Sequence, residues 1–62
     1  MKILELINMG SNLLREKSIP SHILDSEILL SKTLKKSREE ILINLDEKIN
    51  KQKILEFKNY LS

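Results

Sequence analysis

The chain has 62 residues, of which 40% are hydrophobic, so it forms at most one small domain. It contains no Cys and one His, which excludes a disulfide framework and a thiolate or polyhistidine metal site. Eleven basic residues face nine acidic ones, for a net charge of +2, and the two signs alternate along most of the chain. There is no export signal and no apolar run near the ~20 residues of a membrane span, so we expect a cytoplasmic protein.

The first predicted element is an amphipathic helix. A glycine inside such a helix costs about 1 kcal/mol relative to alanine, which either a close approach by another helix or simple tolerance would explain. The helix should end before Ser18, because Pro20 favours an extended conformation for the residue before it. The apolar face steps by three and four residues, as an α-helix requires, through Ile3, Leu6, Ile7, Gly10, Leu13 and Leu14.

A second helix is predicted to begin near Pro20 or Ser21, because proline suits the first turn of a helix. Within it we expect Leu30 and Leu34 at the centre of the core. Near its start, His22 should serve as a surface or capping residue. The predicted stripe again steps by three and four residues, through Ile23, Leu24, Glu27, Ile28, Leu30, Ser31 and Leu34.

Two further helices complete the predicted fold. Ser37 and Glu40 form a capping-box pattern ahead of a short third helix. The run Ile41–Leu45 could also be a strand, but the cap and the lack of a partner strand favour a helix. Asn50 is a candidate cap for a fourth helix, after a polar loop in which Ile49 points inward. The sequence therefore predicts an all-α fold, a small bundle of four to five short helices, in a single domain over residues 1–62.

The residues that carry enzyme chemistry are sparse. A single glycine cannot form a phosphate-binding loop, and no spacing ties His22 to a serine and an acid. Asp25 and Glu27 lie two positions apart on a helix, hence on different faces, so they do not form a carboxylate dyad. Asp25 should instead stabilise the second helix, because a carboxylate interacts favourably with the positive N-terminal end of a helix. The residues point to a binding or accessory module with no catalytic, cofactor or metal site.

The densest positive charge lies in the turn after the second helix. Lys35, Lys36 and Arg38 stand close together there, and a turn between helices should be exposed. We therefore take these three residues as candidate partner-binding residues. A solvated helix end is the competing interpretation.

One stretch, SHILDSEILLSKTLKKSR at residues 21–38, resembles the N-terminal domain of the HemK family, the release factor glutamine methyltransferases. Two positions depart from the family pattern. Ser26 stands where Ala is common, and Lys35 stands where Gly is common, which argues against a left-handed glycine cap at the end of the helix. The positions that match in spacing are Leu24, Asp25, Glu27, Leu29, Leu30 and Leu34.

The resemblance implies a domain that helps to recognise its protein substrate, the peptide chain release factor. It also implies that the chain is an N-terminal fragment. The catalytic domain, which would bind S-adenosylmethionine and methylate the glutamine of a Gly-Gly-Gln motif, is absent from it. No catalytic residue can be assigned to this sequence from the family. We expect a monomer without membrane or direct nucleic-acid contacts.

Two other functions remain open from the residues alone. A stand-alone helical adaptor would expose apolar surface and change mass with concentration. A nucleic-acid-binding helical module would need basic side chains to converge on one face. The residues concerned are Lys32, Lys35, Lys36 and Arg38 together with Lys51, Lys53 or Lys58.

Overall fold

The computed structural model describes all 62 residues and consists of four α-helices. They are α1 (Ile3–Glu16), α2 (His22–Leu34), α3 (Arg38–Leu42) and α4 (Lys51–Leu61). The predicted all-α bundle is confirmed. The Ile41–Leu45 run is helical only at its start, where α3 ends at Leu42. No helix has the length and apolar composition that crossing a membrane requires.

The core lies where α1, α2 and α4 meet, with α3 closing one side through Ile41. Leu30 is completely buried in it, as predicted. Half-buried apolar side chains, among them Leu34 and Ile49, pack around this centre. The eight buried apolar residues are Ile3, Leu6, Ile7, Leu14, Leu30, Ile41, Phe57 and Leu61.

Gly10 is the point of closest approach between the long helices. A methyl group placed there would overlap the Ser26 hydroxyl and lie 2.8 Å from Cζ of Phe57. The Ser26 hydroxyl donates a hydrogen bond of 2.8 Å to the Ile7 carbonyl across the same contact. Of the two explanations for a glycine within α1, the close approach of another helix is therefore confirmed.

Both long helices end in a left-handed residue that is not glycine. α1 stops after Glu16, before Ser18 as predicted, and Ser18 has a φ of 63°. The amide of Ile19 then donates to the Leu14 carbonyl at 3.1 Å and that of Ser18 to Arg15 at 2.9 Å. This pair of bonds is the Schellman motif, which satisfies carbonyls at the helix end.

The start of α1 is held by the loop before α4. The amides of Ile3 and Leu4 donate to the carbonyls of Glu47 and Leu45, both at 3.0 Å, and the Ile49 amide donates to the Met1 carbonyl at 2.9 Å. These contacts give partners to backbone groups that a helix start leaves unpaired. The loop therefore acts as the cap of α1.

The predicted burial along α2 is right for Leu30 and too high at both ends of the helix. Ile23 and Leu24 are exposed, at 58% and 44%, and Leu34 is only half-buried. Ser26, which donates to the Ile7 carbonyl of α1, and Thr33 are the buried side chains instead. A helical stripe fixes the direction in which a side chain points, but the length of the neighbouring helices decides whether it is covered.

Candidate partner-binding surface

The basic turn between α2 and α3 has a well-defined backbone. Lys35 adopts the left-handed conformation, with φ 56° and ψ 42°. The Lys36 amide donates to the Ser31 carbonyl at 3.0 Å and the Lys35 amide to Lys32 at 3.3 Å, so this end is also a Schellman motif. The sequence argues against a left-handed glycine cap here, and the helix does end without glycine, but the left-handed cap is present because Lys35 adopts that conformation itself.

A capping box fixes the start of α3, as the sequence predicts. The Glu40 amide donates to Oγ of Ser37 at 3.1 Å, and the Ser37 amide donates to Oε1 of Glu40 at 3.0 Å. The hydrogen bonds from the Ser37 backbone and side chain, with a smaller effect of the Lys36 charge, lower the pKa of Glu40 below its ordinary value of 4.5. The Glu40 carboxylate is therefore stabilised in its charged form.

Two of the three candidate partner-binding residues are already paired within the domain. Nζ of Lys36 lies 3.4 Å from Oε2 of Glu47, and Nε of Arg38 lies 2.6 Å from Oε1 of Glu27. Lys35 is exposed and makes no salt bridge. The turn therefore presents one uncompensated positive charge and two that are neutralised locally.

A shallow cleft of about 300 Å³ lies beside this turn, between the start of α2 and Arg38. Sequence reasoning placed its two apolar residues, Ile23 and Leu24, in the core and so missed it. The signal that could have found it is Glu27, since a carboxylate in a buried stripe needs a cation nearby. The lining residues are Pro20, Ser21, Ile23, Leu24, Glu27 and Arg38.

The one hydroxyl–imidazole pair in the chain joins α1 to α2. Oγ of Ser11 lies 2.7 Å from Nδ1 of His22, although the sequence suggested only a surface or capping role for this histidine. Ser11 is 8% exposed, and no carboxylate bonds to the imidazole, so the pair lacks the orienting acid of a hydrolase triad. The pair satisfies a buried hydroxyl and ties the two helices together.

Other candidate residues take structural positions. Asp25 lies in the first turn of α2, as expected, and accepts a hydrogen bond of 2.9 Å from the Ser21 hydroxyl. No group of three or more His, Asp or Glu side chains is placed to hold a metal ion. Among the basic residues that a nucleic-acid face would need, Lys53 pairs with Glu56 at 3.1 Å. With Lys36 and Arg38 also paired, no observation favours the nucleic-acid alternative.

The sequence of the bundle is similar to a known family of domains. A family model for the PrmC N-terminal domain matches residues 5–62, which span all four helices except the first residues of α1. The chain belongs to the PrmC N-terminal domain family. No curated protein and no solved structure matches it significantly.

Membership confirms the resemblance that residues 21–38 carry, because PrmC and HemK denote the same N-terminal domain. PrmC N-terminal domains belong to methyltransferase-family proteins. The chain itself contributes no residues to catalysis that the family or the structure identifies. What this PrmC N-terminal domain offers is a folded surface, of which the basic turn and the adjoining cleft are the most distinctive parts.

Proposed function

We propose that this chain is the substrate-recognition domain of a protein-glutamine N5-methyltransferase that modifies peptide chain release factors. The observation that carries the proposal is the family match over residues 5–62. The catalytic domain of the same protein would bind S-adenosylmethionine and transfer its methyl group to the amide nitrogen of the glutamine in Gly-Gly-Gln. The helical domain would hold the release factor so that this glutamine reaches the catalytic site.

The distribution of charge supports a docking role for the basic turn. Lys35, at the left-handed end of α2, is free to meet an acidic partner. Lys36 and Arg38 bind their internal carboxylates and fix the shape of the turn, while Arg38 still exposes 45% of its side chain. Charges at the rim of an interface act mainly on the association rate, so these three residues would speed docking rather than catalysis.

The first test is the continuation of the reading frame after Ser62. A methyltransferase of this class should continue into a Gly-containing loop for S-adenosylmethionine and an Asn-Pro-Pro-Tyr motif for the glutamine. A stop codon directly after Ser62 would contradict the proposal and favour the stand-alone adaptor.

The second test is kinetic and uses the full-length protein with purified release factor and S-adenosylmethionine. We expect methylation of the Gly-Gly-Gln glutamine. Deletion of residues 1–62 should raise KM for the release factor far more than it lowers kcat, because binding that is equal in ground and transition states affects KM alone. An unchanged KM would show that this domain does not recognise the release factor.

Binding of S-adenosylmethionine is a control for the assignment of substrate recognition to this domain and of catalysis to the other. The 62-residue chain should give no heat of binding with S-adenosylmethionine in calorimetry, whereas the full-length protein should bind it. A micromolar signal from the 62-residue chain would contradict the assignment of the cofactor to the catalytic domain.

A further inference from the structure

The cleft beside α2 is an uncovered end of the apolar core. Ile23, Glu27 and Leu30 follow one another at helical spacing on one side of α2. Leu30 is fully buried and Glu27 is 9% exposed, but Ile23 is 58% exposed. The apolar stripe thus runs on beyond the elements that cover it, and it ends on an aliphatic side chain in contact with solvent.

A guanidinium group with unused donors borders the same cleft. Arg38 donates through Nε to Oε1 of Glu27 at 2.6 Å and makes no other hydrogen bond. The side chain of Glu27 is only 12% exposed, so it holds Arg38 in place from below. Both terminal amino groups of Arg38 are left for a ligand, on a side chain that has already lost part of its conformational freedom.

We propose that this cleft binds an extended segment of the release factor in which an aliphatic side chain stands next to a carboxylate. The aliphatic side chain would cover Ile23 and Leu24, and the carboxylate would accept hydrogen bonds from the free amino groups of Arg38. The proposal rests on the proposed function for the identity of the partner, and on the cleft alone for the chemistry of the ligand.

The chemistry of the cleft disfavours other ligands. The one carboxylate inside it, Glu27, is bound to Arg38, so a cationic side chain would find no unpaired carboxylate in the cleft. No aromatic side chain lines the cleft on which a nucleobase could stack. Arginine prefers a planar carboxylate, which can accept two parallel hydrogen bonds.

The test is an NMR titration of the ¹⁵N-labelled 62-residue chain with four probes. Three are hexapeptides that begin and end with glycine and carry two copies of Leu-Glu, of Leu-Lys or of Ser-Glu between the glycines. The fourth is the purified release factor. We expect the Leu-Glu peptide and the release factor to shift the amides of residues 21–27 and 38. The Leu-Lys and Ser-Glu peptides should bind much more weakly.

Matched variants locate the effect. Ile23→Glu places a carboxylate where the apolar contact should form, and should weaken binding of the Leu-Glu peptide by at least about tenfold. Ile43→Glu makes the same change at an isoleucine that is 80% exposed outside the cleft, and should leave the affinity unchanged. The lysine in Arg38→Lys can still pair with Glu27, but it lacks the two terminal amino groups that should bind the carboxylate of the ligand. This variant should therefore also bind more weakly. Both cleft substitutions are at exposed side chains, and thermal melts should show that the variants remain folded.

The outcomes separate the two proposals. If the release factor binds and shifts only residues elsewhere, the cleft proposal is wrong and the proposed function stands. If the Leu-Glu peptide binds in the cleft and the release factor does not bind, the ligand chemistry stands and the partner is wrong. If neither probe shifts the cleft, or if Ile43→Glu weakens binding as much as Ile23→Glu, the cleft proposal is overturned.

Discussion

At the scale of single residues, backbone conformation and close contact decide which side chain the fold accepts. Gly10 is required by the space between α1, Ser26 and Phe57. At Lys35 and Ser18 the backbone is left-handed, yet neither residue is glycine. An L-residue pays about 1–2 kcal/mol for that conformation, so the domain carries removable strain at two helix ends.

Gly10→Ala should destabilise the domain. The added methyl group gains about 1 kcal/mol of helix propensity but must displace both Ser26 and Phe57, and overpacking of a core costs about 1–3 kcal/mol. Displacing Ser26 also threatens its bond to the Ile7 carbonyl. We expect a net loss of about 1–2 kcal/mol in urea denaturation. Asn12→Ala, on the exposed side of the same helix, should be neutral or slightly stabilising; an equal loss there would refute the packing explanation.

Lys35→Gly should stabilise the domain. Relief of left-handed strain outweighs the extra chain entropy that glycine has when unfolded, for a net gain of about 0.5–1 kcal/mol. Lys32→Gly, three residues earlier in the right-handed last turn of α2, should lose about 1 kcal/mol. Thermal denaturation of the two variants should therefore move in opposite directions, and a shift in the same direction would show that Lys35 is not left-handed in solution.

At the scale of helices, caps and buried faces control which segments fold. α3 has only five residues, and short isolated helices are marginal in water. Its capping box and the burial of Ile41 therefore supply most of its stability. α2 depends instead on its contact with α1 through Ser26 and on the core around Leu30.

Ser37→Ala should cost about 1 kcal/mol of stability, the usual effect of removing a serine cap. The reason is the loss of the bond from the Glu40 amide to Oγ of Ser37. Ser21→Ala is a matched control, since Ser21 precedes α2 but its side chain makes no capping bond to the backbone. The urea midpoint should fall for the first variant and stay nearly constant for the second; an unmoved midpoint for Ser37→Ala would mean that this cap is not used.

Leu30→Ala should destabilise the domain by about 2–5 kcal/mol, the range for a fully buried leucine, which is enough to unfold so small a chain. Leu34→Ala should cost less, because Leu34 is only half-buried. Leu55→Ala removes a leucine that is 55% exposed and should have little effect. Denaturation followed by circular dichroism measures the loss of unfolding free energy in each variant. Equal losses in all three would contradict the assigned register of α2.

At the scale of the whole molecule, charge and exposed surface determine how the domain meets its partner. Salt bridges within the domain compensate Lys36 and Arg38. They leave Lys35 as the unpaired positive charge of the turn, and the cleft beside it is lined by the exposed Ile23 and Leu24. At this turn the partner should therefore meet one unpaired positive charge and one apolar recess.

Lys35→Glu in the full-length enzyme should slow association with the release factor at low salt and leave turnover at saturating substrate nearly intact. Arg15→Glu reverses a second exposed charge at the opposite end of the α1–α2 pair, and should have a smaller effect. Stopped-flow association at several salt concentrations measures both. Lost turnover with unchanged association would assign the turn to catalytic alignment, and no change in either would make it solvated surface.

Much of the architecture was predictable because helical spacing, Ser37, Asn50 and Pro20 act locally. The same local signals could not show that Lys36 pairs with Glu47 or Arg38 with Glu27, since each pair spans eleven positions. Nor could they show that no other element covers the apolar stripe of α2 at Ile23. The basic turn was found from the sequence, but its neutralisation and the cleft beside it depend on tertiary packing.

The cap that the loop provides for α1 has a consequence for hydrogen exchange. The amides of Ile3, Leu4 and Ile49 are bonded between the first residues of the chain and residues 45–49. Because all three bonds join the same two segments, separation of these segments breaks all of them, so we expect the three amides to exchange with solvent as one unit. Their protection should rise and fall together, although most of the chain lies between them.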